Sequence, residues 1–136
     1  MRALVIVLSL VVPIGAWATA AVAKERAAFL DGQYATAAQC EKLRKIEAGG
    51  KETVSTAPEL LDADGFRGWE GGCEFTKLFE HEPGQSWLAF MVCSEGMSVN
   101  AATYVFVKDG DAFEVHRSGE EQGPELYTRC DAKKGK

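Results

Sequence analysis

The chain lacks most of the short signatures that announce a catalytic site. No two cysteines stand in a C-x-x-C pair, no serine sits in a nucleophile elbow, and no glycine-rich phosphate loop occurs. Histidine is scarce, with only His81 and His116. Basic residues are outnumbered, 15 against 20 acidic, for a formal net charge of −5. That balance argues against nucleic acid or an anionic membrane as partner, since both are recognised by a basic patch. It suits a basic partner, and equally suits plain solubility. There is no internal repeat.

The N-terminus carries the clearest signal. Met1-Arg2 gives a short positive start, Ala3 to Val12 is an almost unbroken apolar run, and Pro13 and Gly15 break any helix. Small residues follow, with A-x-A patterns ending at Ala18, Ala20 and Ala23. This is the pattern of a secretory signal peptide over residues 1–23, with cleavage after Ala23 or Ala20. An uncleaved membrane anchor is the alternative, because Ala3 to Ala23 is just long enough to span. No cysteine lies near the cleavage region, which removes lipoprotein attachment. The expected product is a periplasmic or secreted protein without stable membrane insertion after cleavage. It spans residues 24–132 as one domain, and the basic tail 133–136 is expected to be disordered.

Export sets the reading of the four cysteines, Cys40, Cys73, Cys93 and Cys130. An even number in an oxidising compartment implies disulfides. Three pairings are possible. Cys73 and Cys93 fall on what read as adjacent strands, while Cys40 and Cys130 lie near the two ends of the mature chain. The favoured pairing is therefore Cys73–Cys93 with Cys40–Cys130.

The stretch Gly65 to Phe79 reads as a central strand with Trp69, Cys73 and Phe75 on its inner face. The glycines at 68, 71 and 72 imply a bulge or bend where backbones approach closely. Lys24 to Gly32 reads as a frayed lead-in. Thr36-Ala37-Ala38-Gln39 has the form of a capping box, and the helix it opens stops at Gly49-Gly50 with Cys40 on its buried side. Asp62-Ala63-Asp64-Gly65 reads as a turn and fails the EF-hand pattern. Trp87 to Cys93 is apolar on both parities, as in a strand covered on both faces or set in a closed barrel. A loop is expected from Ser94 to about Asn100, then a strand over Tyr104–Val107 and a tight turn at Asp109-Gly110 into Ala112–Arg117. Leu126, Thr128 and Cys130 alternate on a last strand. The fold class is α+β, mainly β: one N-terminal helix packed on a small antiparallel sheet or barrel, stapled by two disulfides.

Chemistry is harder to find. His116 and Glu114 share a strand face and could form an acid–base pair, although a plain surface pair is the favoured reading. Asp62/Asp64, Glu80/Glu82 and Glu120/Glu121 are paired carboxylates, but all lie in loops and need a cleft to work. The cysteines are better used as bridges than as nucleophiles. Trp69 and Trp87 are expected to pack over the Cys73–Cys93 bridge. Phe66 and Arg67 are the expected exposed contacts. The reading is a non-enzymatic protein with no cofactor.

Taken together, Gly32–Thr36, Leu61–Phe75, Cys93–Gly96 and Tyr127–Cys130 (G-x-Y-x-T, L-x-A-D-G-F-x-G-W-E-x-x-C-x-F, C-S-E-G and Y-x-R-C) resemble a group of small exported alphaproteobacterial proteins of unknown function. That resemblance implies export and no particular activity. More loosely, Tyr104 to Val115 is similar to the strand and turn of the periplasmic inhibitors of C-type lysozyme, which are small disulfide-bonded β-barrels. The tryptophan before the lysine is missing, and Asp109 splits Lys108 from Gly110. The likeness implies Lys108 and the Ser94–Ser98 loop as contacts to a basic cell-wall hydrolase. The expected function is therefore an exported binding or structural protein, with hydrolase inhibition as the alternative.

Overall fold

The computed structural model describes residues 24–49 and 56–131. The expected signal peptide, the polar stretch around Val54 and the expected disordered basic tail lie outside them. Eight strands follow in chain order, each antiparallel to the next, and the last pairs with the first to close a barrel. They are β1 Tyr34–Ala35, β2 Leu60–Asp62, β3 Gly65–Arg67, β4 Gly71–Glu82, β5 Ser86–Glu95, β6 Ser98–Asp109, β7 Ala112–Arg117 and β8 Glu125–Arg129. The fold is mainly β, and the one helix among the described residues, α1 Ala37–Glu47, follows β1 instead of opening the domain.

Period-two alternation explains the wall. In β5 the residues Trp87, Ala89, Met91 and Cys93 point inward, and Phe106 from β6, Phe75 from β4 and Leu61 from β2 complete the core. The opposite parity of β5 is not covered: Phe90 and Val92 stand on the outside. A closed barrel fills its interior with one parity, and among the described residues no layer covers the other.

The expected central strand is two strands. The chain turns at Gly68-Trp69-Glu70, where the Gly68 N–H donates to the Gly71 carbonyl at 2.9 Å. Cys73 and Phe75 face inward as expected, but Trp69 stands on the hairpin tip, 59% exposed. The glycines are the physical reason. A Cβ on Gly71 would run into the Ser94 carbonyl, and one on Gly65, at φ +131°, would meet the Cys73 carbonyl. Backbones therefore approach closely on both sides of the tip. Trp87 is buried but sits six residues, about 20 Å, along β5 from Cys93, so neither tryptophan covers the bridge.

Three other expectations change. The lead-in is packed and not frayed: Ala27 and Leu30 are buried, and Phe29 enters the barrel against Trp87. Beyond Glu74, β3 no longer accompanies β4, and Glu25 occupies that free edge by accepting from the Leu78 N–H at 2.6 Å. Strands β5 and β6 run on through the expected loop and meet at a tight Gly96–Met97 turn. The inward parity of β8 belongs to Tyr127, which puts Thr128 and Cys130 on the side of the helix.

Helix α1 packs outside the barrel against β1 and β8. Thr36 is its N-cap but makes no side-chain cap bond, and Gln39 instead accepts from the Glu59 N–H at 3.1 Å. The capping-box residue is spent on holding the segment that leads into β2. Gly49, at φ +78°, ends the helix. Cys40 is its buried residue and bonds Cys130, while Cys73 and Cys93 bond directly across the β4–β5 ladder. No described cysteine is free, which leaves no thiolate for zinc. Two disulfides fit an oxidising, exported environment.

Candidate binding site at the barrel mouth

The two ends of the barrel differ. At one end the lead-in closes the interior: Phe29 stacks on Trp87 with ring centroids 4.0 Å apart and lies 5.6 Å from both Phe106 and Phe113. Tyr34 meets Phe113 edge-on at 5.2 Å. Among the described residues the other end is open, and a cavity of about 400 Å³ lies beneath the β3–β4, β5–β6 and β7–β8 connections. That is the size of a site for one small molecule.

The floor of the cavity is apolar and aromatic. Phe66, Tyr104, Val115 and Tyr127 contribute to it, together with the Cys73–Cys93 bridge. Phe66 lies 4.9 Å from Tyr104 and edge-on to Tyr127 at 5.7 Å, ring centroid to ring centroid. The rim is charged. Glu59, Glu70, Glu95, Glu120 and Glu125 line it, and Arg117 is the cation among the lining residues. Strand ends and the connections between them supply these groups, because positions near the mouth border both core and water.

Two polar contacts organise this end. The Tyr127 hydroxyl donates to Glu59 Oε1 at 2.9 Å. Burial pushes the Tyr127 phenol well above its ordinary value, and the Glu59 carboxylate adds to the shift. Arg117 bonds Glu120 at 2.8 Å and holds its guanidinium 5.9 Å from the centre of the Tyr104 ring. The Glu120 hydrogen bond raises the Arg117 pKa further. Burial raises the Tyr104 phenol, and the nearby Arg117 charge partly opposes that rise.

The residues expected to make contacts are dispersed. Phe66 is not exposed; at 7% accessibility it is part of the cavity floor, because β3 alternates and Phe66 takes the inward parity. Arg67, its neighbour, points outward and pairs with Asp62. Ser94 lines the mouth and Ser98 stands exposed at the start of β6. Lys108 is ten residues further along β6, roughly 30 Å away, beside the closed end. The structure therefore brings Ser94 and Ser98 together and leaves Lys108 apart. His116 and Glu114 lie 3.8 Å apart and partly exposed, outside the cavity lining. Among the described residues no three His, Cys, Asp or Glu side chains are placed to hold a metal ion, and no helix is long and apolar enough to cross a membrane.

Sequence reasoning missed Glu59, Tyr104, Arg117 and Tyr127 as a group. They are scattered over 69 positions of the chain and meet only when the barrel closes. The available signal was parity: Tyr104 and Tyr127 each sit on the inward face of a strand. No family model, curated protein or solved structure matches this chain, so the reading of the mouth rests on its own geometry.

Proposed function

We propose that this is an exported, non-enzymatic binding protein of the periplasm or cell envelope, and that its ligand enters the open mouth of the barrel. The asymmetry of the ends carries the reading. A barrel that serves only as scaffold gains by packing both ends, whereas here one end is plugged with aromatic rings and the other holds a polar-rimmed cavity of about 400 Å³. The signal-like N-terminus, the two disulfides and the resemblance to small exported proteins support the location.

The test is thermal unfolding of the mature protein against a small-molecule library. A ligand present at a hundred times its Kd stabilises the fold by about 2.7 kcal/mol. Hits are expected to lose their effect in Asn100→Trp, which places an indole in the cavity lining. A library without hits, or hits that survive this block, overturns the reading.

A second reading, inhibition of a basic cell-wall hydrolase such as C-type lysozyme, is favoured by the β5–β6 tip. Met97 is fully exposed there, between Glu95 and Ser98 and next to the acidic mouth. In this form the Ser94–Ser98 segment makes the contact and Lys108 does not. Titration against lysozyme at low and moderate salt decides it. Saturable inhibition weakened by Met97→Ala and untouched by Lys108→Ala supports it, and none at micromolar protein removes it.

A further inference from the structure

We infer that the mouth takes an organic cation, a protonated amine or guanidinium carried on an apolar body. This rests on the cavity being the binding site and names the chemistry that enters it. Charge is the first argument. Among the described residues five lining carboxylates come from five separate places in the chain, and they face one lining cation, Arg117. That cation is already committed to Glu120 at 2.8 Å. An anion entering the mouth would meet uncompensated negative charge on every side. A cation relieves the repulsion among the carboxylates.

Tyr104 supplies the second argument, independent of the carboxylates. Its side chain lines the cavity and the residue is only 8% accessible. Among the described residues its hydroxyl meets only Cys73 Sγ, 3.8 Å away. That sulfur is in a disulfide and carries no hydrogen, so it can only accept, and weakly. A buried phenol without a strong partner is costly unless something else completes it. An ammonium or guanidinium N–H, donating to the phenol oxygen, does so.

The protein shows the required geometry with one of its own groups. The Arg117 guanidinium lies over the Tyr104 ring while bonding Glu120, so a cation is held between an aromatic face and a carboxylate at the mouth. Elsewhere in the lining, Phe66 and Tyr127 place aromatic rings beside the Glu59 carboxylate. The apolar floor would hold the body of the ligand and the carboxylates its charged end.

The experiment uses a matched trio of probes on one phenol framework: tyramine as cation, tyrosol as neutral analogue and 4-hydroxyphenylacetate as anion. Binding to the mature protein is followed by calorimetry and by the fluorescence of Trp69, which stands on the tip between the lining residues Gly68 and Glu70. Tyramine is expected to bind at least about ten-fold tighter than tyrosol, a difference of about 1.4 kcal/mol. The anion is expected not to bind. Raising the salt from about 0.01 M to about 0.15 M shortens the screening length from roughly 30 Å to 8 Å and should weaken tyramine several-fold. Glu59→Gln with Glu125→Gln should weaken it about ten-fold while tyrosol is unchanged. Tyr104→Phe removes only the hydroxyl and should weaken tyramine with little change in melting temperature.

Equal or tighter binding of tyrosol or the anion overturns the cation and leaves the mouth as the site. The same holds if the trio is silent while other library compounds still bind the open mouth. Silence from both overturns the two readings together. A capped lysine-rich peptide is the last arm: if it binds more than about ten-fold tighter than tyramine, the cation is a side chain of a polypeptide and the small-ligand form of the inference falls.

Discussion

The ring of Phe29 lies flat on that of Trp87, 4.0 Å between centroids and 11° from parallel. A residue from the segment ahead of the first strand thus fills the end of the barrel that its turns leave open. The same segment is tied down at its end by Asp31, which accepts from the Tyr34 hydroxyl at 2.7 Å and pairs with Arg129 at 3.0 Å. Tyr34 and Arg129 face each other across the β1–β8 seam. The plug and the closure of the barrel are therefore one structural unit.

Phe29→Ala should destabilise the protein by about 2–4 kcal/mol, the cost of an emptied aromatic site. Opening the plugged end should also expose the Trp87 indole and shift its fluorescence to the red. Trp69→Ala, on the exposed tip, should change stability by no more than about 0.5 kcal/mol. Equilibrium denaturation of the two variants checks both numbers. Equal effects would contradict the separate placement of the two rings.

The bridges should differ in worth. Cys40–Cys130 closes a 90-residue separation and Cys73–Cys93 one of 20. In the chain-entropy model these correspond to about 4.6 and 3.3 kcal/mol, and measured values are often smaller. Replacing Cys40 and Cys130 by alanine together should therefore cost more than replacing Cys73 and Cys93. The first bridge also joins α1 to the end of β8, so its loss should release the helix from the wall. Denaturant midpoints give the order, and hydrogen exchange over residues 37–47 reports the release. A larger loss on removing the shorter bridge would show that its place in the β4–β5 ladder outweighs chain entropy.

Much of this fold was legible in the chain. The disulfide pairing followed from strand adjacency and from the position of Cys40 and Cys130 near the mature ends. The helix, the Asp62–Gly65 turn and the Asp109-Gly110 turn followed from local rules. What local rules could not supply was the closure itself. Phe66 sits three positions before Trp69, and nothing nearby tells which of them faces the core until the glycines force a turn between β3 and β4. Phe29 and Leu30 look like any short apolar pair, and become a plug only because closure leaves an aromatic-lined end to fill. Leu126 and Tyr127 are both apolar enough for the core, and the barrel's parity chooses the tyrosine. The mouth was hidden for the same reason: its members come from six strands and three connections.

All three tyrosines in the sequence have phenols raised above the ordinary value, for three local reasons. Burial comes first for each. Asp31 then adds to the rise at Tyr34, which reaches about 12, and Glu59 adds to it at Tyr127, while Arg117 partly offsets it at Tyr104. A raised phenol favours the neutral form in the folded state. The stability each contributes is therefore fully present below the unfolded value of about 10 and is lost as the pH rises through the folded value. For Tyr34 that window runs from about 10 to about 12. A spectrophotometric titration of the native protein should accordingly show less tyrosinate than the denatured chain at the same pH of about 10, with the remainder appearing on unfolding at higher pH. Tyr127→Phe should leave Glu59 without its donor and weaken tyramine as well as the fold. A native tyrosine titrating normally at about pH 10 would mean that the mouth is more open to water than the burial of Tyr104 allows.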